Sequence, residues 1–110
     1  MSLEERSREA VTPIVPEFAA DVDTGDADSY CVLNATEMPE SFGNNRPRAI
    51  RHLVQLHWYF PLRTDPRDTK RALRAAIGGL RGCTWPAVTD ATDRDGGHLV
   101  FEFQAVDGAV

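Results

Sequence analysis

The sequence has few cysteines, and their positions exclude most roles that cysteine pairs take. Cys31 and Cys83 are far apart, and neither belongs to a CxxC motif. Motifs of that kind mark zinc and redox sites. We therefore expect two free thiols in a reducing compartment, without a disulfide.

Long apolar runs are also missing. No segment approaches the roughly 18 apolar residues that a membrane-spanning helix needs. The amino terminus, MSLEERSREA, is acidic where a signal peptide would be basic and then apolar. With 110 residues, 42% hydrophobic and 26% charged, we expect one globular domain over residues 1–110, located in the cytoplasm where it is made, with no membrane partner.

The usual signatures of catalysis and of metal or phosphate binding are absent as well. His52 and His57 differ by an odd number, so a regular strand points them to opposite faces. His57 and His98 fall on the outer faces of predicted neighbouring strands, and we interpret them as exposed histidines. The chain has no glycine-rich phosphate loop, and residues 90–95 lack the ligand order of a calcium loop. We predict no catalytic residue, no cofactor and no metal site, and hence no enzyme.

Charge is distributed unevenly along the chain. Residues 1–40 contain ten acidic residues and two arginines, a net charge of −8. Residues 46–81 contain nine basic residues and two acidic ones, a net charge of +7. The net charge of −5 for the whole chain therefore conceals an acidic end and a basic middle.

Alternating apolar residues predict the central strand at residues 51–61, RHLVQLHWYFP. Val54, Leu56, Trp58 and Phe60 fall on one face, and Pro61 suits the end of a strand. Further strands are predicted at residues 17–22, 29–35, 85–89 and 98–106. The strand at residues 85–89 contains Pro86, which favours an edge position. A loop of about a dozen residues, 36–47, joins two strands as an extended hairpin arm.

Two helices complete the pattern. Ser2 and Glu5 have the spacing of a capping box, and Pro13 and Pro16 end the first helix near Val11 or Thr12. The second helix is predicted from Asp65 as N-cap to about Leu80, with an apolar stripe of Ala72, Leu73, Ala76, Ile77 and Leu80. We therefore expect an α+β domain, a largely antiparallel sheet of four to five strands with two helices packed on it.

The second helix carries its basic residues opposite the apolar stripe. They are Arg67, Lys70, Arg71, Arg74 and Arg81, and they cluster within about 100° at 3.6 residues per turn. One interpretation is a solvated outer face. A second is contact with nucleic acid phosphates, although no aromatic residue is interleaved with these bases. A third is contact with the acidic end of another copy, which makes a ring if the rotation closes.

The order of these patterns resembles that of a known family. The segments that carry the resemblance are a short first helix, Tyr30-Cys31-Val32-Leu33-Asn34, Glu37-Met38-Pro39-Glu40-Ser41-Phe42, VQLHWYFP at residues 54–61, a helix with Lys70, Leu73, Ile77 and Leu80, and HLVFEF at residues 98–103. From about Leu3 to Val106 the chain resembles the small tail-completion proteins of long-tailed bacteriophages and prophages. That family includes tail terminators, head-tail joining proteins and minor tail proteins.

The resemblance implies a structural virion assembly protein, without catalytic residues, that forms a hexameric ring at the head-tail junction. Its partners would be other copies of itself, the tail tube protein and the head-tail connector, without sequence-specific nucleic acid binding. Assembly would take place in the host cytoplasm. Where the family commonly has an acidic residue after the aromatic residue of the loop, this chain continues with Gly43. The predicted interface residues are Glu37, Met38, Glu40, Phe42, Asn44, Asn45, Arg46, Arg48, Arg67, Arg71 and Arg74.

Two alternatives remain open at this point. A small α+β enzyme or ligand-binding domain would use His57 or His98 in a pocket between sheet and helix. A nucleic-acid-binding module would show steeply salt-dependent binding through the basic helix.

Overall fold

The computed structural model describes residues 2–20, 27–38 and 50–107. Along the chain the elements are α1 (Leu3–Val11), β1 (Phe18–Ala20), β2 (Tyr30–Glu37), β3 (Ile50–Phe60), α2 (Arg67–Gly78), β4 (Ala87–Asp90) and β5 (Gly97–Asp107). This is the α+β arrangement that the sequence predicts. Within the described ranges, neither helix is long and apolar enough to cross a membrane.

The first helix begins at the predicted capping box. The Ser2 hydroxyl accepts a hydrogen bond from the Glu5 backbone N–H at 3.1 Å and donates one to the Glu5 carboxylate, also at 3.1 Å. The first bond satisfies a backbone N–H that the helix start would otherwise leave to solvent, and the second holds the two side chains together. The helix ends at Val11 with Thr12 as its C-cap, which confirms the predicted end.

The five strands form one mixed sheet in the order β1-β2-β3-β5-β4. Neighbouring strands are antiparallel except β1, which pairs parallel to β2. β1 has three residues and is shorter than the strand predicted at residues 17–22, so this parallel contact is short. β4 lies at an edge, as Pro86 indicates. It begins at Ala87, after the proline that cannot donate a ladder hydrogen bond, and not at Trp85 as predicted.

The core lies on one face of the sheet, beneath both helices. Val54, Leu56, Trp58 and Phe60 of β3 are buried there, as the alternation predicts. Leu3 and Val11 of α1 and Leu73 and Ile77 of α2 belong to the same cluster. The other face of the sheet has neither helix over it, so its side chains are half-buried at most places and exposed at Leu53 and Val106.

The second helix is shorter than predicted. Pro66 is its N-cap, and Asp65 lies one residue earlier, where its carboxylate accepts the Arg67 backbone N–H at 3.1 Å. The helix ends at Gly78 and not near Leu80. Gly82 then turns the chain with a φ of 80°, a conformation that favours glycine, and its carbonyl accepts the Val106 N–H at 2.9 Å.

The hairpin between β2 and β3 is described only at its base. The pairing runs without interruption from Tyr30 opposite Tyr59 to Glu37 opposite His52. Beyond it, the Met38 N–H donates to the Arg51 carbonyl at 2.8 Å. The antiparallel neighbours are as predicted, whereas the arm itself, residues 39–49, lies outside the described residues.

Candidate functional site

The exposed side of α2 forms a compact basic surface. Leu73 and Ile77 of this helix face the core, whereas Arg67, Lys70 and Arg71 are exposed and Arg74 is half-buried. The basic surface consists of Arg67, Lys70, Arg71 and Arg74 together with the indole of Trp85, and these residues surround a shallow depression of about 350 Å³. It brings together three predicted interface residues, Arg67, Arg71 and Arg74.

The three arginines of this surface differ in how far they are already engaged. The Arg67 guanidinium forms a close pair with Asp65, with Nη2 2.7 Å from Oδ2, and this hydrogen bonding lowers the pKa of Asp65 to about 2. Arg74 Nε donates to the Pro86 carbonyl at 3.1 Å. Arg71 is exposed and makes no hydrogen bond or ion pair with any residue that the structure describes. Arg71 is therefore the arginine with most freedom to bind a partner.

Trp85 is the member of this surface that the sequence did not predict. The Arg74 guanidinium lies over the Trp85 ring, 5.5 Å from its centroid. Gly78 makes this position possible, because a Cβ at residue 78 would overlap the indole. Trp85 is nevertheless 59% exposed. The helix itself has no aromatic residue interleaved with its basic ones, but Trp85 from the following loop lies against it.

The remaining predicted interface residues are placed differently. Glu37 is exposed at the end of β2, and Met38 is half-buried next to it. Arg81 is not part of the basic surface, because the helix ends before it, and its carbonyl accepts a hydrogen bond from Arg6 at 2.7 Å. The other members of the predicted set, Glu40, Phe42, Asn44, Asn45, Arg46 and Arg48, lie outside the described residues.

A second group of side chains lies on the sheet face that has no helix over it. Tyr30 of β2 stacks on Tyr59 of β3 with ring centroids 4.9 Å apart, and Tyr59 stacks on His98 of β5 at 4.2 Å. His57 Nδ1 and His98 Nε2 are 2.8 Å apart, so one of them donates a hydrogen bond to the other. The three rings stack because the strand register places Tyr59 directly opposite both Tyr30 and His98.

The two histidines contact each other and are less exposed than the sequence suggested. Both rings are half-buried, and His57 Nε2 is buried without a hydrogen-bond partner among the described residues. Burial lowers the pKa of His57, and the neighbouring His98 lowers it further. Burial also lowers the pKa of His98, while Asp93 and Asp90 oppose that effect. Both histidines face away from the helices, so the described residues do not place them in a pocket between sheet and helix.

In the hydrogen bond between His57 and His98, one ring nitrogen donates its N–H and the other accepts it. If the accepting nitrogen also bound a proton, two N–H groups would face each other and the hydrogen bond would be lost. Unfolded histidines have a pKa near 6.5, so below this pH the unfolded chain binds more protons than the folded one. Stability is therefore complete above pH 6.5 and decreases as the pH falls towards the lowered folded values. We expect a loss of about 1 kcal/mol or less, since both rings are partly exposed.

Urea unfolding at pH 7.5 and 5.5 measures this loss. The variants His57→Gln and His98→Gln should each show a smaller difference between the two pH values than the wild type. Asn34→Ala, on the same face of the sheet but without a titratable side chain, is the control and should keep the wild-type difference. An unchanged pH dependence in His57→Gln would show that the pair does not titrate in this way.

The cysteines and acidic residues suggest no reactive or metal centre in the described part of the chain. Burial raises the pKa of the Cys31 thiol to about 12, and burial also raises that of Cys83. Both thiols are free, as predicted. Among residues 2–20, 27–38 and 50–107, no three His, Cys, Asp or Glu side chains are grouped so that they would hold a metal ion.

Comparison with known proteins gives information on the fold. No family model and no curated protein matches the chain. A solved structure whose name states no function is similar to it at 14% identity, with a TM-score of 0.66 over 97% of this chain and 90% of the other. At this level of identity, the likeness shows that the two chains share a fold.

Proposed function

We propose that this protein is a structural subunit of a ring that caps the tail tube of a long-tailed bacteriophage or prophage and joins it to the head connector. The ring is a hexamer of this chain, located at the head-tail junction of the virion, and it carries out no reaction. Its subunits contact one another through the basic surface of α2 and through the segment of residues 37–48.

The basic surface is the observation that most supports this function. It combines an exposed tryptophan with arginines, the residue types that contribute most binding energy in protein interfaces. The indole is already held by Gly78 and Arg74, so binding a partner would order few additional side chains. The acidic residues of another copy supply the opposite charge, which gives specificity and fast association.

The mass of the protein in solution, measured over a concentration series at low and moderate salt, tests this function. We expect a shift towards a six-chain species at low salt that weakens as salt screens the charges. Arg71→Glu and Trp85→Ala should each weaken self-association at least tenfold while lowering the free energy of unfolding by less than about 1 kcal/mol, since both side chains are exposed.

Arg81→Glu is the matched control, because it changes the charge equally but lies outside the basic surface. Equal association of Arg71→Glu and wild type would remove α2 from the interface, and a wild type that is monomeric in every condition would contradict the proposed ring. A single-stranded oligonucleotide that binds with steep salt dependence, and that neither variant binds, would instead assign the basic surface to nucleic acid.

A further inference from the structure

A second concave surface lies at the end of the sheet where β2 begins and β3 ends. We call it the tyrosine pocket. It has a volume of about 440 Å³, and its lining includes Asp28, Tyr30, Tyr59, Arg63, Asp95 and His98. This volume lies within the range of ligand pockets and is ample for a long side chain.

The walls of the tyrosine pocket favour a planar cation. Tyr30, Tyr59 and His98 form one stack in which Tyr59 is the middle ring. The stack therefore has an outer ring face at Tyr30 and another at His98, and such faces attract guanidinium groups. The described lining contains three carboxylates, those of Asp28, Asp93 and Asp95, and one guanidinium, that of Arg63. Arg63 lies 3.6 Å from Asp28. The pocket therefore has an excess of negative charge beside an aromatic wall, which suits an arginine side chain.

The tyrosine pocket and the basic surface are separate surfaces with no lining residue in common. Tyr30, Tyr59 and His98 lie on the sheet face away from the helices, since their strand neighbours Cys31, Trp58 and Leu99 are buried beneath them. The basic surface lies on the outer side of α2. The pocket of one copy and the basic surface of another can meet in a head-to-tail contact, the type that generates rings.

The acidic residues of α1 are weaker partners for the basic surface. Glu4 forms an ion pair with Arg8 of the same helix at 3.7 Å, and the Glu5 carboxylate accepts the Ser2 hydroxyl. Asp28 of the pocket is paired in the same way, with Arg63 at 3.6 Å, so ion pairing alone does not favour the pocket over α1. The advantage of the pocket is its aromatic rings, which α1 does not offer.

We propose that the tyrosine pocket of one copy receives the basic surface of the next copy, with an arginine guanidinium packed against the tyrosine rings. This inference rests on the ring function proposed above, and it identifies the acidic half of the subunit contact. The contact is heterologous, so each copy uses its pocket for one neighbour and its basic surface for the other.

Two variants, each with one half of the contact blocked, test this inference. Asp28→Lys/Asp95→Lys blocks the pocket and leaves the basic surface intact, and Arg71→Glu does the reverse. Asp93 is kept, because its carboxylate accepts the backbone N–H groups of Asp95 and Gly96 and so holds the turn. Glu4→Lys/Glu9→Lys is the matched control, with the same change in net charge on α1.

We expect each blocked variant to be monomeric by sedimentation at low salt, and an equimolar mixture to form a two-chain species that grows no further. The control should associate like the wild type. If the wild type forms rings and the pocket-blocked variant forms them equally well, the inference is wrong and the ring function stands. If the mixture forms no two-chain species while the wild type forms rings, the basic surface binds elsewhere, and the inference is again wrong. A monomeric wild type overturns both the inference and the ring function.

Discussion

Replacing Trp58 by alanine is expected to lower the free energy of unfolding by about 3–5 kcal/mol, the usual range for a large aromatic removed from a core. Trp58 is only 2% exposed, and its ring lies 4.1 Å, centroid to centroid, from that of Phe60. Its indole N–H donates to the Ser29 hydroxyl at 2.9 Å. Truncation therefore removes a large apolar surface and leaves a cavity beneath both helices.

Urea unfolding followed by circular dichroism measures this loss without relying on tryptophan fluorescence. Trp85→Ala is the matched control, because the same truncation at a side chain that is 59% exposed should cost less than about 1 kcal/mol. Ser29→Ala removes only the acceptor of the indole and should cost about 1–3 kcal/mol. A Trp58→Ala protein as stable as Trp85→Ala would mean that the core has been assigned to the wrong face of β3.

Gly97→Ala should lower stability by about 1–3 kcal/mol, as overpacking a well-filled site usually does. Gly97 begins β5 directly opposite Phe60, and a Cβ at residue 97 would overlap the Phe60 ring. Phe60 is itself buried at 6% exposure, so the ring has little space to move aside. The added methyl group must push the ring out of the core or separate the two strands.

The adjacent glycine provides the control for this effect. A Cβ on Gly96 would lie 3.5 Å from the Phe60 carbonyl oxygen, an ordinary van der Waals distance, so Gly96→Ala should be close to neutral. A double-mutant cycle with Phe60→Leu then separates the clash from other effects. If Gly97→Ala costs as much in the Phe60→Leu background as in the wild type, the ring is not the cause.

Periodicity predicts the sheet well, because the strands of this protein bury one face. The alternation around Trp58 predicts which residues of β3 enter the core, since a shift of one residue would expose all of them. The same alternation places Tyr59, His57 and His98 on the other face. It does not predict their contacts, because the meeting of His57 with His98 depends on the register between two strands that are distant in sequence.

The basic surface shows the same limit at a helix. Helical spacing predicts that Arg67, Arg71 and Arg74 lie together, since this requires only 3.6 residues per turn. Trp85 belongs to the loop after the helix, and its place on α2 depends on the turn at Gly82 and on the missing side chain of Gly78. The sequence pattern includes Trp85 in the predicted strand at residues 85–89, whereas β4 begins at Ala87 and leaves Trp85 in the preceding loop.

The pairing of β3 with β5 also determines when the protein becomes foldable. Every residue of β3 from Ile50 to Phe60 pairs with β5, yet α2 and β4 separate the two strands in sequence, and β4 pairs only with β5. During synthesis on the ribosome, β3 therefore has an unpaired edge until β5 has emerged. Such an edge can pair with β3 of another nascent chain, and strands that join over long sequence distances fold slowly. The ring proposed above therefore requires that each chain completes its own sheet first.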